Sequence, residues 1–159
     1  SEYGVEQFRR EDYFASSECN NSDFFHHLAE NTDTDFIMYS PCNTPLILEE
    51  TYYDFINRFR NGLGRSDSLN TASLINRHLW LDGKPINYDP SNAPSTQGLP
   101  DIFGLNSGLS IISKDNMIKY RNIVGSNPSF YKLNDYEAVD VDRPIDFEFA
   151  EFLYLKYRL

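Results

Sequence analysis

The stretch EAVDVDRPIDFEFAE, residues 137–151, sets the framework for interpreting the rest of the chain. Apolar and acidic residues alternate from Val139 to Asp142, and this alternation predicts a β-strand. Pro144 follows at once, and proline is common in the first turn of a helix. The stretch therefore predicts a strand that leads directly into a helix, the junction expected in α/β proteins. The inward side of that helix is predicted to carry Ile145, Phe149, Phe152 and Leu153.

Two acidic side chains lie at the end of the predicted strand. Because side chains alternate between the faces of a strand, Asp140 and Asp142 are expected to point the same way, at the edge where open α/β sheets bind ligands. Two parallel carboxylates suit Mg²⁺, which takes its remaining ligands from water and substrate phosphates, and Mn²⁺ is an alternative. A simpler interpretation has Asp142 capping the helix and Asp140 solvated on the strand. Spacing alone leaves both interpretations open.

The segment VDVDRPIDFEFAE resembles the I-D-I-D-T-P-x-D-F-x-x-A-E segment that closes the catalytic domain of the acylneuraminate cytidylyltransferases. These enzymes activate sialic acids and related sugars with CTP. The D-x-D pair, the proline, the D-F and the A-E fall in register. The resemblance implies that Asp140 and Asp142 are catalytic and hold magnesium. It also implies a three-layer α/β/α domain with a mixed, mainly parallel sheet of the nucleotide-diphospho-sugar transferase type.

Length and composition are consistent with one enzyme-sized domain covering residues 1–159. The chain is 40% hydrophobic and 15% aromatic, which is typical of globular proteins. Its formal net charge of −10 argues against nucleic acid or an anionic membrane surface as the main partner. No apolar run has the length of a membrane span, and no signal peptide opens the sequence. Cys19 and Cys42 lack metal-binding spacing, so a reducing, cytoplasmic setting is expected.

The amino-terminal part of the sequence is expected to be incomplete. Its opening, SEYGVEQFRR, is similar to an A-x-x-Y-G-A-x-x-x-x-R-P stretch that lies some way into the family's catalytic domain. The loop G-S-K-G-x-P-x-K-N, which cradles the triphosphate in the family, should precede it and does not occur in this sequence. We therefore expect a fragment, a processed chain or the ordered part of a longer protein.

Nucleotide contacts are implied near the start of the chain. Arg9 and Arg10 lie where the family has an arginine near the base and ribose, although a solvated pair is an equal alternative. Asn21 and Ser22 lie where a serine-rich turn of the family approaches the nucleotide. Ser22 is also a suitable N-cap for a helix at 23–30.

Sugar contacts are implied at two loops. After a predicted strand at 35–40, Asn43 and Thr44 match the loop L-Q-P-T-S-P-L, with Pro41 in place of its glutamine. Further on, Gln97 and Asn106 match R-R-Q-D-x-P-x-x-Y-x-E-N-G, whose asparagine contacts the sugar. Asn106 could equally belong to an ordinary turn before a strand at 109–112.

The region at about 76–100 is predicted to be a dimerisation arm. Asp82-Gly83 supplies a tight turn for a β-hairpin, and a long loop rich in proline and asparagine follows. The resemblance implies that this arm crosses to a second subunit, which predicts a homodimer. Elsewhere, periodicity predicts helices at 49–60 and 114–124 and strands at 67–75 and 129–133.

The implied function is transfer of CMP from CTP to a sialic acid-like 2-keto acid sugar, with release of pyrophosphate. A related enzyme could use a different ulosonic acid, because Pro41 and Leu105 depart from the family's pattern. An alternative outside the enzymes is a non-catalytic module that retains the arm and the sugar pocket but has no triphosphate cradle. A further alternative is that the chain as given is inactive alone.

Overall fold

The computed structural model describes residues 4–157, so the ends of the predicted domain, 1–3 and 158–159, lie outside the described residues. Within that range the α-helices are α1 Asn21–Glu30, α2 Glu49–Gly62, α3 Lys114–Tyr120 and α4 Pro144–Tyr157. The strands are β1 Phe36–Tyr39, β2 Ser68–Leu74, β3 Trp80–Leu81, β4 Lys84–Pro85, β5 Phe103–Ser113 and β6 Pro128–Lys132.

Four strands form the main sheet in the order β1-β5-β2-β6. Strand β5 is antiparallel to both β1 and β2, whereas β2 and β6 are parallel. Strands β1, β2 and β6 therefore run in one direction, which confirms the predicted mixed α/β sheet. Their carboxyl ends, together with the start of β5, form one edge of the sheet, which we call the carboxyl edge.

Helices cover both faces of this sheet. The side chains of β5 alternate between the two faces, and each face packs in its own hydrophobic cluster. On one face Ile111 and Leu109 pack with Phe55 and Phe59 of α2. On the other face Ile112 packs among residues of α1, β1, α3 and the loop that follows α3, namely Phe25, Ala29, Ile37, Met117 and Ile123. The arrangement is consistent with the predicted three-layer architecture.

A large bulge interrupts β5 where the sequence suggested a turn. Asn70 pairs with Ser110 and Ala72 with Leu105, so Thr71 alone stands opposite the four residues 106–109. The Thr71 hydroxyl accepts a hydrogen bond from the Leu109 amide at 2.8 Å and so replaces part of the interrupted ladder. The predicted strand at 109–112 is thus only the second half of a longer strand.

Two predicted helix boundaries are wrong for local reasons. Asn20, and not Ser22, is the N-cap of α1, because its side chain accepts a hydrogen bond from the amide of Asp23 at 2.8 Å. Helix α3 ends at Tyr120, and not at 124, because Arg121 adopts a left-handed conformation with φ of 50°.

The segment at 139–142 belongs to no strand, so the predicted strand is wrong. The helix predicted after it is confirmed as α4, although its predicted inward side is not. Ile145, Phe149 and Phe152 are each more than half exposed and Leu153 is half-buried, whereas Ala150 is buried. Apolar residues occur on every side of α4, so periodicity could not select one face. Among the described helices, none has both the length and the apolar character to cross a membrane.

Candidate functional site

The candidate site lies at the carboxyl edge, where the 139–142 segment contacts the loop between β1 and α2. The Val141 amide donates a hydrogen bond to the backbone oxygen of Asn43 at 2.8 Å. The Asn43 side chain donates from Nδ2 to Oδ1 of Asp140 at 2.7 Å. Two residues that the sequence analysis assigned to the site, 97 positions apart, are therefore in direct contact.

The electrostatic surroundings of Asp140 disfavour its ionised form. Burial raises the pKa of this carboxyl, and the nearby charges of Asp142 and Asp146 raise it further. Asp146 is bound by the Arg143 guanidinium, which lowers the pKa of Asp146 and keeps it ionised. A cation placed beside Asp140 would relieve the repulsion among these carboxylates.

The two carboxylates of Asp140 and Asp142 suit Mg²⁺ better than they suit a metal ion that takes all of its ligands from the protein. Residues 4–157 contain no group of three or more His, Cys, Asp or Glu side chains arranged to hold a metal ion. Mg²⁺ typically needs only one or two carboxylates, because it keeps several waters and binds substrate phosphates. Half-buried Asp140 and exposed Asp142 fit that pattern.

The remaining residues of the β1–α2 loop support its shape. Thr44 is buried, and its hydroxyl donates to the backbone oxygen of Pro41 at 3.3 Å. The Ser40 and Tyr52 hydroxyls share a hydrogen bond at 2.9 Å. The predicted substrate contact of Thr44 stays a prediction, and its hydroxyl already stabilises the loop that presents Asn43.

The second predicted sugar loop begins β5 at the same edge. Asn106 lies in the bulge, and its Nδ2 donates to the Ser73 hydroxyl at 3.0 Å. The alternative of a turn before the strand takes the form of this bulge within β5, where Ser107 has a positive φ of 54°. Gln97 is exposed in a short 3₁₀-helix, Thr96–Gly98, ahead of β5. The sugar-binding roles of Gln97 and Asn106 stay predictions.

The predicted nucleotide-binding residues lie on α1 or before it, and Arg10 lies close enough to Tyr39, at the carboxyl end of β1, to act on it electrostatically. Arg9 and Arg10 are exposed, and the Arg10 guanidinium lies 5.1 Å from the ring centre of Phe24. Asn21 and Ser22 are exposed in the first turn of α1. Their predicted contacts with nucleotide also stay predictions.

Glu137 is a residue of the site that the sequence analysis did not single out. It is buried, and it joins the turn after β6 to the start of α2. Its position three residues before Asp140 was the available signal, but one glutamate among 24 acidic residues has no distinguishing pattern.

The predicted hairpin in the arm is confirmed. Strands β3 and β4 pair antiparallel around Asp82 and Gly83, which both have positive φ as a tight hairpin turn requires. Large apolar side chains on this hairpin are more than half exposed: Trp80, Leu81 and Ile86.

Comparison with known proteins gives partial matches, and the chain matches no known protein-family model. It is 26% identical over 95 residues to the post-translational flagellin modification protein B of Campylobacter coli, covering 56% of this chain and 40% of that relative. It is 24% identical over 72 residues to the CMP-N,N'-diacetyllegionaminic acid synthase of Campylobacter jejuni, covering 45% of this chain and 31% of that relative.

The chain thus matches less than half the length of either curated relative. The second relative is, by its name, an enzyme that makes a CMP-activated sugar. Together the two matches support a cytidylyltransferase-like family and do not distinguish among its members.

Proposed function

We propose that this chain belongs to a cytidylyltransferase that transfers CMP from CTP to an acidic 2-keto sugar of the sialic acid type. The observation that carries the proposal is the half-buried Asp140 carboxylate, held by Asn43 at the carboxyl edge with Asp142 and Asp146 nearby. The named CMP-sugar synthase among the relatives supports the same reaction class.

In the proposed reaction the anomeric hydroxyl oxygen of the sugar forms a bond to the α-phosphorus of CTP. The bond between the α-phosphorus and the oxygen that bridges it to the β-phosphorus breaks. Pyrophosphate leaves with that oxygen, and the hydroxyl proton is released to solvent. Asp140 and Asp142 would hold Mg²⁺ or Mn²⁺, which supplies neutralisation of the phosphate charge. Asn43 orients the Asp140 carboxylate by donating to Oδ1.

Substrate contacts complete the proposal. Asn43, Thr44, Gln97 and Asn106 are proposed to bind the sugar, and Arg9, Arg10, Asn21 and Ser22 the nucleotide. We place the reaction in the cytoplasm, and the free thiols of Cys19 and Cys42 support a reducing compartment.

Pyrophosphate release provides the direct test. The full-length gene product is incubated with CTP, Mg²⁺ and, separately, a sialic acid, a legionaminic acid and an eight-carbon ulosonic acid. We expect release that requires CTP and one of these sugars, and loss of that release in Asp142→Ala. Mass spectrometry should identify the matching CMP-sugar. No release with any sugar, from folded protein, would instead support the non-catalytic module.

We also propose that the protein is a homodimer formed through the arm. Exposed Trp80 and Leu81 offer apolar surface that association would bury. Light scattering should give twice the mass of one chain, and the double variant Trp80→Ser/Leu81→Ser should give the mass of one chain. Tyr53→Ser, which changes an exposed residue of α2, serves as the control and should remain dimeric. A dimeric arm variant would contradict this assignment.

A further inference from the structure

We infer that Glu137 is a positioning residue, whose buried carboxylate fixes Asp140 against the β1–α2 loop. The inference rests on the proposed function, because Asp140 is the residue that Glu137 would position. Glu137 is not itself a proposed substrate or metal contact. It acts through the backbone that carries Asp140.

Three donors converge on the Glu137 carboxylate, which is only 4% exposed. Oε1 accepts from the Leu48 amide at 3.0 Å and from the Thr51 hydroxyl at 2.5 Å. Oε2 accepts from Nδ2 of Asn134 at 2.6 Å. The Glu137 backbone amide in turn donates to Oδ1 of Asn134 at 2.9 Å, so the Asn134 side chain binds both the carboxylate and the backbone of Glu137. Hydrogen bonds to a carboxylate are among the stronger ones in proteins.

This carboxylate binds to the start of α2. Leu48 is the N-cap of α2 and has no polar side chain to accept a hydrogen bond. Glu137 binds that residue's amide and the hydroxyl of Thr51 in the first turn, where the helix dipole also favours negative charge. The far end of the β1–α2 loop is thereby attached to the segment that precedes Asp140.

The 139–142 segment is consequently anchored on both sides of Asp140. Before Asp140 in the chain, Glu137 binds the start of α2, and Ala138 packs against the hydrophobic cluster that contains Ile47. On the other side the Val141 amide binds the backbone oxygen of Asn43. Groups that orient a catalytic carboxylate in this way typically alter metal affinity or activity roughly 10- to 100-fold when changed.

Two substitutions that exchange the carboxylate and the amide between residues 137 and 134 isolate this role. Glu137→Gln keeps the shape but places an amide donor against Nδ2 of Asn134, and rotating the Asn134 amide would only move the mismatch to the residue 137 backbone amide. Asn134→Asp alone places two carboxylates together. Combining Glu137→Gln with Asn134→Asp restores an acceptor for every donor. Thr51→Val removes a single donor and is the mildest member of the set.

Hydrogen exchange of the Val141 amide measures the position of the segment without any substrate. We expect exchange about tenfold or more faster in Glu137→Gln, and recovery to within about threefold of the wild-type rate in the double variant. Amides in the core, such as that of Ile112, should keep their wild-type rates. Merely weaker folding would accelerate both amides together.

Turnover supplies the functional readout. We expect kcat per folded molecule to fall roughly 10- to 100-fold in Glu137→Gln, a few-fold in Thr51→Val, and to recover in the double variant. Unchanged Val141 exchange and kcat in folded Glu137→Gln would overturn the inference, as would a double variant no better than Glu137→Gln. If Glu137→Gln does not fold, the decisive variant is Thr51→Val. A Val141 exchange rate and a kcat equal to those of the wild type in Thr51→Val would then overturn the inference.

The two readouts also separate this inference from the proposed function. A wild-type protein that releases no pyrophosphate contradicts the proposed function, and Val141 exchange still decides whether Glu137 holds the segment. If the wild-type protein is active and Glu137→Gln has the wild-type Val141 exchange rate and kcat, the result contradicts this inference but not the proposed function.

Discussion

Replacing Asp140 by asparagine is expected to abolish most of the nucleotidyl transfer while leaving the fold intact. The asparagine keeps an oxygen that can accept from Asn43 but loses the charge proposed to hold a divalent cation. Removing one such electrostatic contact typically lowers kcat on the order of a hundredfold to a thousandfold. The measurement is steady-state pyrophosphate release at saturating CTP and sugar, over a range of Mg²⁺ concentrations.

Asp115→Asn is the matched control for this substitution. Asp115 is exposed in the first turn of α3, which follows the carboxyl end of β5 and so lies at the opposite edge of the sheet. The control should retain wild-type kcat and the wild-type dependence on Mg²⁺. Full activity in Asp140→Asn would refute the proposed role of this carboxylate.

The same substitution should not destabilise the protein at neutral pH. The pKa of Asp140 is raised by burial and by neighbouring acidic groups, so the folded state binds this proton more tightly than the unfolded chain does. This carboxyl therefore lowers stability as the pH rises from its unfolded pKa to its folded pKa, and the penalty persists above both. Asp140→Asn removes the penalty, so its thermal midpoint at pH 7 should equal or exceed that of the wild type.

Local sequence patterns predicted the elements whose packing is simple. Helix α2 presents a regular apolar face, and its buried residues Phe55 and Phe59 follow that period. The hairpin turn at Asp82 and Gly83 follows from residues that tolerate positive φ. In α4 the apolar residues occur on all sides, so the pattern gave a helix but no reliable buried face.

Non-local contacts account for what the sequence did not reveal. The bulge in β5 depends on the Thr71 hydroxyl, which is 38 positions from the amide that it binds. The hydrogen bond between Asn43 and Asp140 was not predicted, because the family resemblance only assigned both residues to the site. Glu137 was missed because one of its partners is a backbone amide, that of Leu48, which carries no sequence signature.

Truncation of Phe55 is expected to cause the largest loss of stability among the substitutions considered. This side chain is fully buried between α2 and the sheet, and its ring contacts that of Tyr131 edge to face at 5.5 Å. Phe55→Ala should lower the free energy of unfolding by about 3–5 kcal/mol, since it removes apolar contacts and leaves a cavity.

Denaturant unfolding measures this loss as a lower midpoint at an unchanged slope. Tyr53→Ala on the same helix is the control, because Tyr53 is 64% exposed and its loss should change stability by about 0.5 kcal/mol or less. Equal effects of the two substitutions would contradict the packing of α2 against the sheet. Because the N-cap residue Leu48 and Thr51 of α2 supply the amide and the hydroxyl that bind Glu137, such a result would also remove the support for the anchored position of Asp140.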